Sequence, residues 1–315
     1  MSLIGAAVTR CSVGIVRTMR SFPGVVRAYL PMAYDYIDWR WSDTHISKTE
    51  FGAGMRCRLN DLIQRKISYF GVWEPNLTDF FYGNLRPGDV VIDVGANIGY
   101  FTLLAASIVG TTGRVISIEA SPQIFGLLAE NIEMNRLSNV RAVNCAAAYA
   151  DGEMSVYASG EDNIGHSSTI PLDDNKFIGT VKARPLHDIL TSEELSRVRL
   201  VKIDIEGAER PVIESILEHL DLYGPDCEIA VEVSVENNDL FAVMAARGFK
   251  AYQLKNDYSD EAYIGRHTQS PIAFTGTIKT LSDFIFSRRD VDILTPTVPL
   301  GSPAEKARPA RRSTL

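Results

Sequence analysis

The residues best placed to do chemistry lie in one short run, Asp93-Val94-Gly95-Ala96-Asn97-Ile98-Gly99. It follows the β-branched segment Val90-Val91-Ile92 and precedes a helical pattern beginning at Tyr100. A strand, a glycine-containing turn and a helix in that order place the turn beyond the carboxyl end of the strand, where open α/β sheets bind ligands. A dinucleotide loop would need glycine at 95, 97 and 100 so that the backbone can approach a pyrophosphate, but Asn97 and Tyr100 occupy two of those three positions. Asp93 would also repel the two phosphates. The same carboxylate suits an ammonium or a sulfonium. Glu119, twenty residues after Gly99, closes the next apolar segment and can accept both hydroxyls of a ribose. The pattern favours a nucleoside that carries positive charge. No G-K-[ST] sequence is present, so a Walker-type phosphate loop is absent.

The elements that must position these groups are legible from periodicity. Val90–Val94, Arg114–Glu119, Val140–Cys145, Leu200–Ile205 and Glu228–Val233 are short, rich in β-branched residues and bounded by turn formers, as buried parallel strands are. Ile98–Val109, Gln123–Asn135, Ala208–Leu220 and Asn237–Arg247 have helical length and period, giving the βαβ alternation of a doubly wound α/β sheet. Asp204 and Glu206 follow the fourth strand, so topology brings them to the same rim as Asp93 and Glu119. Residues 1–50 form an N-terminal extension whose first 33 residues carry Arg10, Arg17, Arg20 and Arg27 and no acid. On a helical wheel those arginines fall within about a third of a turn, which fits either an anionic membrane surface or a helix packed on its own domain. Residues 289–315 read as a basic disordered tail.

Composition excludes several classes. A formal net charge of −7 disfavours a body that grips nucleic acid phosphates. Four widely separated cysteines with no C-x-x-C pair suggest neither a zinc site nor a disulfide framework, and reduced thiols in a cytoplasm are the simplest reading. No apolar run approaches the roughly 20 residues that span a bilayer.

Five segments carry a family resemblance: Phe70-Gly71-Val72-Trp73-Glu74, Asp93 to Tyr100, Ile118-Glu119-Ala120-Ser121-Pro122, Val201-Lys202-Ile203-Asp204-Ile205-Glu206-Gly207-Ala208-Glu209, and Val231-Glu232-Val233. Together they resemble the FkbM family of class I methyltransferases, with residues 51–288 as the domain. The resemblance implies a doubly wound, mostly parallel seven-stranded Rossmann-like sheet, S-adenosylmethionine as methyl donor, and a hydroxyl acceptor on a sugar, glycan or polyketide-like small molecule. One departure is Leu186-His187-Asp188, where the family shows Leu-Asp before a helix. The last strand would fall at Phe284-Ile285-Phe286.

Methyl transfer to a hydroxyl is an in-line displacement, so alignment supplies much of the rate, and a base near the acceptor helps to remove its proton. Asp204 and Glu206 are the catalytic candidates. Asp204 would act as base, acceptor ligand or contact to the donor's amino group, and Glu206 would orient it; the alternative for Asp204 is to cap the helix near Ala208. The cofactor-binding candidates are Glu74, Asp93, Gly95, Asn97, Gly99, Glu119, Ser121 and Asn144, with Glu74 at the donor's amino-acid end and Asn144 beside the adenine. Asp204, Glu206 and Glu232 could together hold a hard divalent cation, although no spacing demands one. His166, Ser167 and Ser168 lie in a polar loop that could overhang the site. The reading that competes with an enzyme is a catalytically silent module that keeps cofactor affinity.

Overall fold

The segments read as strands join one eight-stranded sheet. The computed structural model describes residues 3–38, 44–158, 167–168, 176–205, 207–266 and 268–289. Its main strands are β1 (Val90–Val94), β2 (Arg114–Glu119), β3 (Val140–Asn144), β4 (Val198–Ile203), β5 (Glu228–Val233), β6 (Lys250–Leu254), β7 (Ile272–Phe274) and β8 (Ser282–Ser287). Their spatial order is β3-β2-β1-β4-β5-β8-β6-β7. The first five in that order are mutually parallel. β8 inserts antiparallel between β5 and β6, and β7 adds a three-residue antiparallel edge to the expected seven strands. The order reverses between β1 and β4, which opens a crevice at their carboxyl ends.

Strand periodicity sorts the core into two layers. Val91, Val115, Leu200 and Ile285 face one layer with Leu103 and Leu104. Ile92, Ile116, Val201 and Phe284 face the other with Ile213, Ile216 and Met244. On the first side lie helices α1 (Leu3–Thr18), α2 (Pro23–Met32), α3 (Leu62–Phe70), α4 (Pro75–Asn84), α5 (Tyr100–Val109) and α6 (Pro122–Met134). On the second lie α7 (Glu209–Glu218) and α8 (Leu240–Ala246), while α9 (Asp260–Gly265) contributes Tyr263 to the first. α5 is buried along most of its length because other helices cover the face it turns from the sheet. That explains why its sequence, YFTLLAASIV, lacks a polar stripe.

The N-terminal helices share this core through Val16, Val26 and Leu30. Arg17 donates through Nε to the Ser68 carbonyl (2.8 Å) and through Nη2 to the Ile67 carbonyl (3.1 Å), which also accepts from the Gly71 N–H at the end of α3. Arg27 forms a two-point ion pair with Glu261. Two of the four arginines thus serve internal contacts, which reduces the basic surplus available to an anionic surface, while Met19, Phe22 and Val25 remain exposed at the corner between α1 and α2. Among the described residues no helix is long and apolar enough to cross a membrane. All four cysteines are free thiols. The tail from residue 290 onward lies outside the described residues.

Beyond β3 the chain enters a second, four-stranded sheet made by Ala146–Ala147, Gly152–Ala158, Ser167–Ser168 and Lys176–Arg184. Its core is small, with Ala146, Ala148 and Ala183 at the centre. Replacing Arg17 with alanine removes two charge-assisted bonds to carbonyls, so urea unfolding should show a loss of about 2 kcal/mol at an unchanged m-value.

Candidate active site

The rim of the sheet is built from the β1 loop outward. Gly95 and Ala96 both donate backbone N–H to the Ile118 carbonyl (2.9 and 3.0 Å), which hooks the loop over the end of β2. Gly95 has φ +74°, and a Cβ there would lie 1.8 Å from the Asp204 carbonyl oxygen. The glycine is therefore required by close approach of the β1 loop to the β4 loop. Gly99 has φ +97°, and a Cβ on it would press on Leu128 of α6 at 2.7 Å. Asn97, between them, also adopts a left-handed φ of 50°, and its Oδ1 accepts from the Ile98 N–H (2.7 Å). A short polar side chain that bonds its own backbone tolerates that conformation.

Glu119 is the anchor of the β2 side. Its Oε2 accepts from the Asn97 N–H and its Oε1 from the Ser121 N–H, both at 2.9 Å. Each oxygen keeps a further lone pair, the arrangement that a vicinal diol needs. Burial raises the Glu119 pKa to about 7, although these two backbone bonds pull it down. Ser121 caps α6, accepting from the Ile124 N–H, so it positions Glu119 through its backbone. Asn144, at the end of β3, donates through Nδ2 to the carbonyls of Glu119 and Ala120 (2.8 and 3.0 Å).

On the other side of the crevice the sequence reading overlooked the central group, Lys202. Its ammonium lies 3.1 Å from Asp204 Oδ2 and 3.7 Å from Asp93 Oδ1, and 5.3 Å from the centre of the Phe101 ring. Burial alone would lower its pKa, but Asp204, Asp93 and Glu74 outweigh burial and raise it. Asp93 is 1% exposed. Its Oδ2 accepts from the Thr102 hydroxyl (2.6 Å), which in turn contacts Ser117 at 2.8 Å. Its Oδ1 is buried, lies beyond normal hydrogen-bond distance of any donor among the described residues, and faces the Lys202 ammonium. Asp93 thus faces the underside of the loop, and burial pushes its carboxyl upward against the pull of Lys202 and Thr102.

Asp204 stands beyond β4, where its side chain is 44% exposed. It does not cap α7. The N-cap is Ala208, and Glu209 Oε1 instead accepts from the N–H groups of Ile205 and Gly207 (3.2 and 2.9 Å). Glu74 adopts a left-handed φ of 41° before α4, is 7% exposed, and accepts from the Tyr258 hydroxyl at 2.9 Å. Trp73 stacks on Tyr258 with ring centres 5.3 Å apart. Glu74, Lys202, Asp204, Glu232 and Asp283 line a small cleft whose apolar lining includes Leu77 and Val231. Glu232 and Asp283 oppose each other across the β5–β8 ladder. Burial, reinforced by the neighbouring carboxylates, raises both Glu74 and Asp283 above the ordinary carboxylate range.

The structure therefore collects Gly95, Asn97, Gly99, Glu119, Ser121 and Asn144 on one side of the crevice and Glu74 and Asp204 on the other, with Asp93 beneath. Glu206 and His166 lie outside the described residues. Ser167 and Ser168 pair through their backbone with Ala158 and Tyr157. His187, in the segment that departs from the family pattern, stacks on His219 at 3.8 Å against α7. Among the described residues no group of three His, Cys, Asp or Glu side chains is arranged to hold a metal ion. Lys202 carried a usable signal, since a lysine inside a strand buried on both faces must find carboxylates. Asp283 and Tyr258 carried none, because they reach the site from strands and loops far along the chain.

A family model described as the methyltransferase FkbM domain matches residues 93–251, which run from the end of β1 into β6. The chain belongs to the FkbM methyltransferase family. Methyltransferase sdnD of Sordaria araneosa is 27% identical over 199 residues, covering 52% of this chain and 76% of that protein. Methyltransferase 1 of Beauveria bassiana is 26% identical over 195 residues, covering 54% and 75%. The solved structure of methyltransferase FkbM from Methylobacillus flagellatus is similar at 15% identity and a TM-score of 0.39, over 71% of this chain and 52% of that one.

S-adenosylmethionine is the donor that this methyltransferase uses, and its acceptor-rich crevice fits that molecule. Glu119 offers paired lone pairs suited to ribose hydroxyls, and the half-exposed carboxylate of Asp204 suits a cation. Because the folded pKa of Glu119, about 7, lies above its ordinary 4.5, the folded state holds an extra proton between those values. Its contribution to stability is fullest below that window and is lost as pH rises through it. Glu119→Gln removes this slope, so the variant should gain roughly 1–3 kcal/mol relative to wild type between pH 5 and pH 8. Thermal melts across that range check the gain. Donor affinity of the wild type should tighten over the same range as the carboxylate ionises, and stay weak and flat in the variant.

Proposed function

We propose that this methyltransferase acts on a hydroxyl oxygen of a small, polar, sugar-like or polyketide-like acceptor. The observation that carries the reading is the cleft beside the donor cradle, where Glu74, Asp204, Glu232 and Asp283 surround an apolar floor. Carboxylates accept hydrogen bonds from hydroxyls, and an apolar floor supports the faces of a ring or a reduced carbon chain. An acceptor hydroxyl also needs somewhere to send its proton.

S-adenosylmethionine supplies a methyl group on a sulfonium. The chain's own residues have three tasks. Glu119, Asn97 and the capped start of α6 fix the nucleoside end, which sets the direction of the donor. Asp204, open to the crevice at the switch point between β1 and β4, meets the reacting end. Glu74, whose pKa burial and the charge of Asp204 raise, is suited to take a proton from an acceptor hydroxyl near neutral pH. No covalent enzyme intermediate is required, so the rate rests on alignment.

The test is a screen of hydroxylated acceptors with radiolabelled donor, comparing wild type with Asp204→Asn and Glu74→Gln. Transfer to an oxygen, with kcat reduced about 100-fold or more in each variant, supports the reading. Transfer to nitrogen or carbon would replace the hydroxyl assignment. Donor binding with no transfer to any acceptor would favour the catalytically silent module.

A further inference from the structure

The lysine at the centre of the rim does more than its burial requires. Lys202 alternates inward on β4 and meets the α5 layer, where its ammonium lies 5.3 Å from the centre of the Phe101 ring and connects two carboxylates at different depths. Asp93 is buried under the β1 loop, and Asp204 is half exposed above it. Glu74 adds a third negative charge from the segment before α4, and Glu232 and Asp283 face the same cleft from β5 and β8. Among the described residues that line the cleft, Lys202 is the only basic one.

We propose that Lys202 is a positioning residue that straps Asp204 to Asp93 and so holds the Asp204 carboxylate aimed at the charged end of the methyl donor. The proposal rests on the reading that this rim holds S-adenosylmethionine. A half-exposed carboxylate on a loop normally samples several rotamers, and a surface lysine would restrain it weakly. Lys202 differs because its own stem is packed, so the ordering is supplied in advance by the fold and is little screened by salt. The competing account is that Lys202 merely neutralises buried Asp93. In that case it would affect stability and leave the donor's charged end unselected.

The two accounts separate by ligand. Calorimetric titration of Lys202→Met with S-adenosylmethionine and with 5′-methylthioadenosine compares the full donor with a ligand that keeps the adenosine and thioether but lacks the sulfonium charge and the amino-acid end. The strap predicts about a tenfold or greater loss for the donor and a change within about twofold for methylthioadenosine. An equal loss for both ligands, or no loss for either, would overturn it. Should Lys202→Met fail to fold, the double variant D93N/K202M removes the uncompensated buried carboxylate together with the lysine and carries the same comparison with the same outcomes. If wild type itself does not bind the donor, the assignment of the rim fails before the strap is tested.

Discussion

Everything at the rim depends on burying the Lys202 ammonium between carboxylates. A charge removed from water costs several kcal/mol unless it is paired and hydrogen-bonded, and β4 places this lysine in the interior of the sheet at 4% exposure. Its pairing with Asp93 and Asp204 meets that demand, and in doing so fixes the relation between β1 and β4 at the point where strand order reverses. The contact of Gly95 with the Asp204 carbonyl is the steric counterpart of the same constraint. Neither loop can move far without breaking the other's packing.

From that junction the rim divides into two chemistries. Toward β2 and β3, backbone N–H groups of Asn97 and Ser121 hold the buried Glu119 beside a capped helix, so that its two acceptor oxygens are fixed in direction. Toward β5 and β8, four carboxylates share a cleft, and burial together with neighbouring negative charge raises two of them, Glu74 and Asp283. Carboxyls raised by each other's proximity can exchange protons with an acceptor near neutral pH, which carboxylates in bulk water do poorly. The cost appears as stability forgone, since apolar residues of similar size in place of these groups would pack without the desolvation penalty.

Much of this was legible in the sequence. The five parallel strands and the helices between them matched their periodic segments within a few residues, because strands buried on both faces and helices of full length leave strong patterns. The D-x-G-A-N-x-G loop and Glu119 were readable because their spacing is local and their backbone geometry demands particular residues. Other features left little trace. The small sheet from Ala146 to Arg184 has too thin a core to impose an alternation. β8 enters the sheet out of sequence order, so Asp283 reaches the cleft only through tertiary structure. The depth of Asp93 was also hidden: the sequence shows a carboxylate beside a ligand loop, and only the fold shows it turned beneath that loop toward Thr102 and Lys202.

The central claim is that this crevice binds a nucleoside bearing a cationic sulfonium and not a dinucleotide. It is tested most directly by calorimetric titration of the wild-type protein with S-adenosylmethionine beside an NAD control. Saturable binding of one S-adenosylmethionine per chain, with none for NAD, is the result expected. A folded protein that binds NAD, or that takes up no S-adenosylmethionine, would contradict the account.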